Sequence, residues 1–254
     1  MQQRKLLVIG ASENLVDEHN QDYHYITNIA AHYDLAITNL SIGGMSNAEI
    51  FHRSMAAIAH ECYDLGIVMW TSVVRKWLYF ADRNVDDYTV LNMNSAKGHR
   101  HNDWAVKEYQ KLYYSFFCNH YVLLRELICQ MIALECSFKQ RSIPAVMFHD
   151  FDNNLSDIQN FCYQPDRGFE NISLDFKKIL DFDNRPDHYI NEKLQQLRDL
   201  ISGIDLDCWV DFADFRFSTS RVDRDVDGHH AGPRSHMALF ERLKHHIDSR
   251  KIFC

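Results

Sequence analysis

Short apolar runs alternate with stretches of helical spacing along the first 150 residues. Lys5–Gly10 (KLLVIG) is an apolar run closed by a glycine and predicts a buried strand. His24–Tyr33 has helical spacing, and Leu35–Leu40 (LAITNL) predicts a second strand. Ser46 with Glu49 three residues later fits a capping box, so a helix is expected from near Asn47 to about Cys62. Leu65–Trp70 (LGIVMW) and Ile143–Phe148 (IPAVMF) predict a third and a fourth strand. Strands alternating with helices at this spacing predict βαβ units and a parallel sheet, an α/β protein.

The remaining segments read differently. Trp104–Phe138 carries Tyr109, Leu112, Tyr113, Phe116, Leu124, Leu127, Ile128, Met131 and Leu134 at spacings of three and four, which is helical. Such a stripe is read as core packing, or as the face of a homo-oligomer such as a dimer, rather than as a cofactor box. Residues 150–187 hold several Asp and Asn and few periodic apolar positions, so they are expected to be mostly loop. His188–Ile201 reads as helix. Pro233–Ile247 reads as an amphipathic helix with His236, Phe240, Leu243 and Ile247 on one face.

Composition narrows the class. With 254 residues, 46% hydrophobic and 24% charged, the chain suits one large domain, 1–254. A net charge of −8 without a Lys/Arg run argues against nucleic acid as a partner. The apolar stretch at the start is about five residues, short of a signal-peptide core, and no run approaches a membrane span. A soluble cytoplasmic protein without a signal peptide or membrane partner is expected. Seven cysteines without a CxxC spacing, mostly among apolar neighbours, are read as reduced core thiols rather than disulfides or zinc ligands.

Candidate chemistry lies where an open α/β sheet keeps it, at the carboxyl ends of the strands. Gly10-Ala11-Ser12 follows the first strand, Gly43-Gly44-Met45-Ser46-Asn47 the second, and Trp70-Thr71-Ser72-Val73-Val74-Arg75 the third. Asp227-Gly228-His229-His230 precedes the last helix. A serine hydroxyl needs an adjacent base, usually a histidine oriented by a carboxylate, and Asp227 with His230 supplies both from one turn. The N–H groups of Ser12 and Gly44 suit a developing oxyanion. Taken singly, each residue has a plainer reading: Ser12 a cap, Gly43-Gly44 a tight turn, Arg75 a solvated charge. Asp223-Arg-Asp225-Val-Asp227-Gly228 imitates the start of a calcium loop, but Arg234 stands where the bidentate Glu belongs. His229, His230 and His236 lack evident further zinc ligands, so no metal is expected.

These blocks resemble the SGNH (GDSL-like) hydrolase family. Gly10-Ala11-Ser12 stands for its G-D-S turn, Asn39-Leu40-Ser41-Ile42-Gly43-Gly44 for its glycine loop, and Asp227-Gly228-His229-His230 for its D-x-x-H motif. His236 falls six residues after His230, as the family's second histidine does. Ala11 replaces the aspartate before the nucleophile, Ser72 stands where the oxyanion asparagine is expected, and Ala231 replaces a proline. NLSIGGMSN followed by VMWTSVVR is similar to SGNH-like proteins of tailed phages. The resemblance implies a three-layer α/β/α flavodoxin-like fold with a helical insertion at about 104–140. It implies a serine esterase or carbohydrate O-deacetylase using Ser12, His230 and Asp227, with Ser12, Gly44 and Ser72 on the oxyanion. Thr71, Arg75 and Asn47 would contact a small ester or acetylated glycan, and no cofactor is required. The alternative it implies is a virion component that keeps the scaffold with weakened chemistry, located in the host cytoplasm or the particle.

Overall fold

A computed structural model of the chain describes residues 3–79, 88–92, 95–98, 104–114, 118–150, 185–212, 215–218, 220–225 and 230–253. The chain divides into two compact units: Met1–Thr71, Ile132–Asp152 and Asp205–Cys254 in the first, Ser72–Met131 and Asn153–Ile204 in the second.

The first unit is built on four parallel strands in the order β2-β1-β3-β7. They are β1 (Arg4–Ile9), β2 (Leu35–Asn39), β3 (Leu65–Trp70) and β7 (Ala145–His149). β3 and β7 are buried along their whole length, which is why they read as unbroken apolar runs. β1 is flanked by β2 and β3, with Leu6 opposite both Ile37 and Leu65. The chain leaves β1 for one neighbour and later returns to the other, so a switch point lies at the carboxyl end of β1.

Right-handed crossovers then put the helices on both faces. α1 (Tyr25–Tyr33) links β1 to β2, and its Tyr25 ring meets Phe148 of β7 edge-on at 6.2 Å. α2 (Asn47–His60) links β2 to β3 in the opposite direction. α4 (His120–Gln140) ends on the face opposite Phe148, where a Cβ on Gly66 would lie 2.6 Å from the Phe138 ring. The last helix, α6 (Pro233–Ser249), packs on α1. The result is the expected three-layer α/β/α arrangement. A rudimentary fifth strand position lies beside β7: Met147 bridges to Trp209 and His149 to Arg216, both parallel.

The second unit holds features the periodicity missed. β4 (Lys76–Tyr79), β5 (Tyr88–Asn92) and β6 (Ser95–Gly98) form an antiparallel sheet in that order. α3 (Trp104–Leu112) and the first part of α4 belong here, with α5 (Asp187–Ile201). The expected insertion at 104–140 is therefore divided: residues from Ile132 belong to the first unit, and the second begins at Ser72. The long aromatic stripe also splits. Leu124, Leu127, Ile128, Met131 and Leu134 are buried, but Trp104 is 76% exposed and Tyr109 and Leu112 lie open to solvent.

One further expectation changes. Of the cysteines described, Cys208 is buried, Cys118 half-buried, and Cys62, Cys129 and Cys136 exposed, all as free thiols. Cys129 and Cys136 stand two turns apart on the outer side of α4, so apolar neighbours in sequence are not neighbours in space. The loop expected at 150–187 falls almost wholly outside the described residues. No helix among those described is long and apolar enough to cross a membrane.

Candidate functional site

β1 ends in a sharp elbow. Ala11 stays extended at φ −89° and ψ −157°, and Ser12–Asn14 then makes a single 3-10 turn closed by Leu15 N–H on Ser12 O at 3.1 Å. As the first residue of the turn, Ser12 has an N–H with no partner inside it. Asn14, fully buried, folds back: its amide donates to Ile9 O at 3.2 Å and accepts the Tyr25 hydroxyl. A Cβ on Gly10 would sit 2.5 Å from the Asn14 amide and 2.9 Å from Met69 Cβ, so only glycine permits the fold-back. Asn39 ties the elbow to β2 by donating to Asn14 O at 2.7 Å. Ser12 itself is half-buried.

The glycine loop runs beside the elbow. Ile42 N–H donates to Gly10 O at 3.3 Å, continuing the β1–β2 pairing past both strand ends. Met45 N–H closes on Ile42 O at 3.1 Å, and Gly44 has φ 76°, the third position of a type II turn. Ser46 then caps α2, its hydroxyl accepting Glu49 N–H at 3.4 Å. The next residue has a further role. Asn47 is buried and its amide is fully engaged with Thr71, donating to the Thr71 carbonyl at 3.0 Å and accepting its N–H at 2.8 Å. Thr71 is 0% exposed. Asn47 thus braces the end of β3.

His230 lies on a short hairpin. Arg224 bridges antiparallel to Ala231, and Asp225 N–H donates to His230 O at 2.9 Å. The hairpin is pinned at two places. On one side Asp223 caps α6, its carboxylate accepting Arg234 N–H at 2.9 Å and Ser235 N–H at 2.8 Å. Burial works to raise the Asp223 pKa, but the Ser235 hydroxyl and these N–H groups hold it below the usual range. Both oxygens are used in this way, so Asp223 acts as a helix cap. On the other side Glu13, 6% exposed, accepts Ala231 N–H at 3.1 Å and Arg221 Nη1 at 2.9 Å. The residue after Ser12 is thereby bonded to the residue after His230 across 218 positions of sequence.

A buried aromatic cluster backs this junction. His24 caps α1 through Nδ1, which accepts Ile26 N–H at 3.2 Å, while Nε2 donates to Glu13 O at 3.0 Å. Its ring lies 4.2 Å from that of His236, which stacks on Tyr25 at 5.9 Å and 13°. Burial, then the neighbouring His236, pulls His24 down to about 3. Burial lowers His236 to about 4, against the opposing charges of Asp225 and Asp223. Both rings are neutral at ordinary pH. Tyr25 is held well above its usual pKa by burial, then by Asp150 and Glu13. Burial and the Asp225 carboxylate raise Tyr23 to about 12.

The adjoining strand ends are knit into the same network. Arg221 Nε donates to Ser218 O at 3.0 Å, Ser218 N–H to Asp150 O at 2.9 Å, and Asp150 N–H to Trp70 O at 2.8 Å. The opposite face of β7 is different. His149 is 1% exposed, stacks on Trp209 at 4.7 Å, and has no hydrogen-bond partner on either ring nitrogen among the described residues. Burial and the nearby Arg216 charge push its pKa well below the ordinary histidine value. Trp70 Nε1 is likewise unpartnered. Trp209 instead donates to Glu135 Oε1 at 2.6 Å, and burial raises that carboxyl against its hydrogen bonds.

The structure therefore brings together the Ser12 elbow, the Gly44 turn and the His230 hairpin. Asp227, Gly228 and His229 lie outside the described residues. Ser72 and Arg75 belong to the second unit, where Arg75 N–H closes a turn on Ser72 O at 3.1 Å and the Arg75 charge counters the rise that burial gives the Tyr114 phenol. Glu13, Asn14 and Arg221 were not singled out in the sequence, and Asn39 was named only as the start of the glycine-loop block. The only local signal was two polar residues directly after Ser12. No group of three or more His, Cys, Asp or Glu among the described residues is placed to hold a metal.

The chain matches no protein-family model and no curated protein. Among solved structures it is similar to TesA, at 13% identity over 97% of this chain and 99% of that one, with a TM-score of 0.47. It is similar to the psychrotrophic esterase EstA from Pseudoalteromonas sp. at 8% identity, 97% of each chain and a TM-score of 0.44. A catalytic mutant of Axe2, an acetylxylan esterase from Geobacillus stearothermophilus, matches at 13% identity, 96% of this chain, 94% of that one and a TM-score of 0.43.

Proposed function

We propose that the protein is a serine-dependent ester hydrolase of SGNH type, acting on a small ester or an acetyl group carried by a glycan. One observation carries this reading. The Glu13–Ala231 hydrogen bond sets the residues beside Ser12 and His230 against each other at the carboxyl end of β1, where open α/β sheets keep their chemistry. Ser12 Oγ attacks the carbonyl carbon while His230 takes its proton. Asp227 orients His230. The N–H groups of Ser12 and Gly44 receive the oxyanion, and the role read from sequence for Ser72 on the oxyanion and for Arg75 on the substrate stays part of the proposal. His230 returns the proton to the leaving alcohol, giving an acyl-serine. Water attacks that ester, its proton passes to His230 and then to Ser12, and the acid leaves.

Labelling by a fluorophosphonate probe tests the reading. Intact protein is expected to incorporate one label and Ser12→Ala none, with the same melting temperature. Equal labelling of the two removes Ser12 from the chemistry. The exposed Trp104, Tyr109 and Leu112 of α3 favour a second reading, a component of an assembly built on the same scaffold. It predicts no labelling and concentration-dependent self-association in light scattering.

A further inference from the structure

We infer that Glu13 is a positioning residue that latches the His230 hairpin onto the nucleophile elbow, an inference that rests on the hydrolase reading above. A carboxylate buried to 6% exposure is costly unless charge and lone pairs are both answered. Here they are answered entirely by the distant segment 221–231. Oε1 accepts from the Arg221 guanidinium at 2.9 Å and Oε2 from Ala231 N–H at 3.1 Å. Charge-assisted bonds of this length are among the stronger ones a protein makes. Arg221 is itself held by Ser218 O, and Ser218 by Asp150, so the latch is anchored to the ends of β7 and β3.

Glu13 has little freedom of its own. Its main chain sits inside the one-turn helix that carries Ser12, and its carbonyl accepts His24 Nε2 at 3.0 Å. Any movement of the hairpin therefore pulls against a rigid elbow. The Asp223 cap fixes the hairpin to α6, Asp225 takes the Tyr23 hydroxyl, and the Ala231 carbonyl takes the His236 ring. Without the Glu13 carboxylate these ties remain, but the two bonds that hold the hairpin to the turn carrying Ser12 are lost, and the distance from His230 to Ser12 is set less closely. A displacement of about 1 Å between base and nucleophile costs on the order of 100-fold in rate. Glu13 touches no reacting atom in this scheme and acts only through the position of His230.

Glu13→Gln preserves size but removes the charge and one acceptor. The first measurement is amide hydrogen exchange. Exchange at Ala231 is expected to accelerate at least tenfold, with protection in β1 and β3 unchanged. Unaltered exchange at Ala231 overturns the latch, whatever the enzyme does. The second is kinetics on a short-chain aryl ester, normalised by fluorophosphonate titration of active serines. The expected result is a kcat lowered roughly 10- to 100-fold, KM within twofold of the parent, and an unchanged titre. A lower titre with normal turnover per labelled serine would make Glu13 merely structural and overturn the positioning role. Intact protein that neither turns over the ester nor labels overturns the hydrolase reading and the positioning role with it, while the exchange result still judges the latch. Should Glu13→Gln not fold, Arg221→Met weakens the same carboxylate from its other side and is read by the same two measurements.

Discussion

Two polar interiors lie on either side of the same sheet, and they are built on opposite terms. Behind the elbow, Asn14, His24, Tyr25 and Glu13 are buried and hydrogen-bonded, although Nδ1 of the adjoining His236 has no partner among the described residues. On the other face, neither ring nitrogen of His149 nor Trp70 Nε1 has a partner among the described residues. A satisfied network fixes one geometry, because each member has a single arrangement that answers all the others. An unpartnered ring contributes shape and stacking, and could be exchanged for an apolar side chain of similar size. The protein keeps its more fully hydrogen-bonded interior behind the elbow that carries Ser12 and uses histidine as a packing group on the other face.

This contrast can be broken in three ways. The largest effect is expected at Asn14. Asn14→Ala leaves the Tyr25 hydroxyl and the Ile9 carbonyl without their partner and opens a void, for a loss of about 3 kcal/mol or more. A denaturant midpoint implying less than about 1 kcal/mol would show that the elbow network is slack. Next comes pH. His24 and His236 have folded pKa values of about 3 and about 4, below the ordinary 6.5, so the unfolded chain binds more protons in the interval between. Stability is fully present above pH 6.5 and is lost as pH falls below it toward the folded values, by roughly 2 kcal/mol per histidine between pH 7 and 5. His149 is displaced in the same direction and adds its own share. His24→Gln should visibly flatten the fall in melting temperature over that range, and an unchanged slope would show that the pair is not neutral in the folded state. The smallest effect is expected from His149→Leu at pH 7, within about 1 kcal/mol of the parent because no hydrogen bond is lost. A loss of several kcal/mol in chemical unfolding would erase the distinction between the two interiors.

Legibility in the sequence follows the same divide between local and distant causes. β1, β3 and β7 read clearly because parallel strands buried on both faces are continuous apolar runs. Ser46 and Glu49 marked the start of α2, although the Glu49 carboxylate turns to Arg53 at 3.4 Å instead of back to the cap. β4 to β6 stayed hidden: KWLY, YTVLN and SAKG are four or five residues long and have no repeating pattern. Ser12 and the glycine turn could be found because turn chemistry is local. The bracing role of Asn47 was not legible because its partner is the main chain of Thr71, 24 residues away. Glu13 was invisible for the same reason on a larger scale, since nothing near it in sequence shows that its carboxylate would be answered by Arg221 and Ala231.

The 218-position span of the Glu13–Ala231 bond also orders events in time. During synthesis, the serine emerges long before the histidine exists. β1, α1 and β2 can form from neighbouring residues, yet the hairpin must wait for the last helix to dock, and closing so long a loop is the slow step in assembling distant contacts. Under the proposed hydrolase reading, an emerging chain is chemically silent, with its hydroxyl already on the corner and no base beside it. On that reading reactivity switches on only when the far end of the chain arrives, so activity would double as a report that folding is finished.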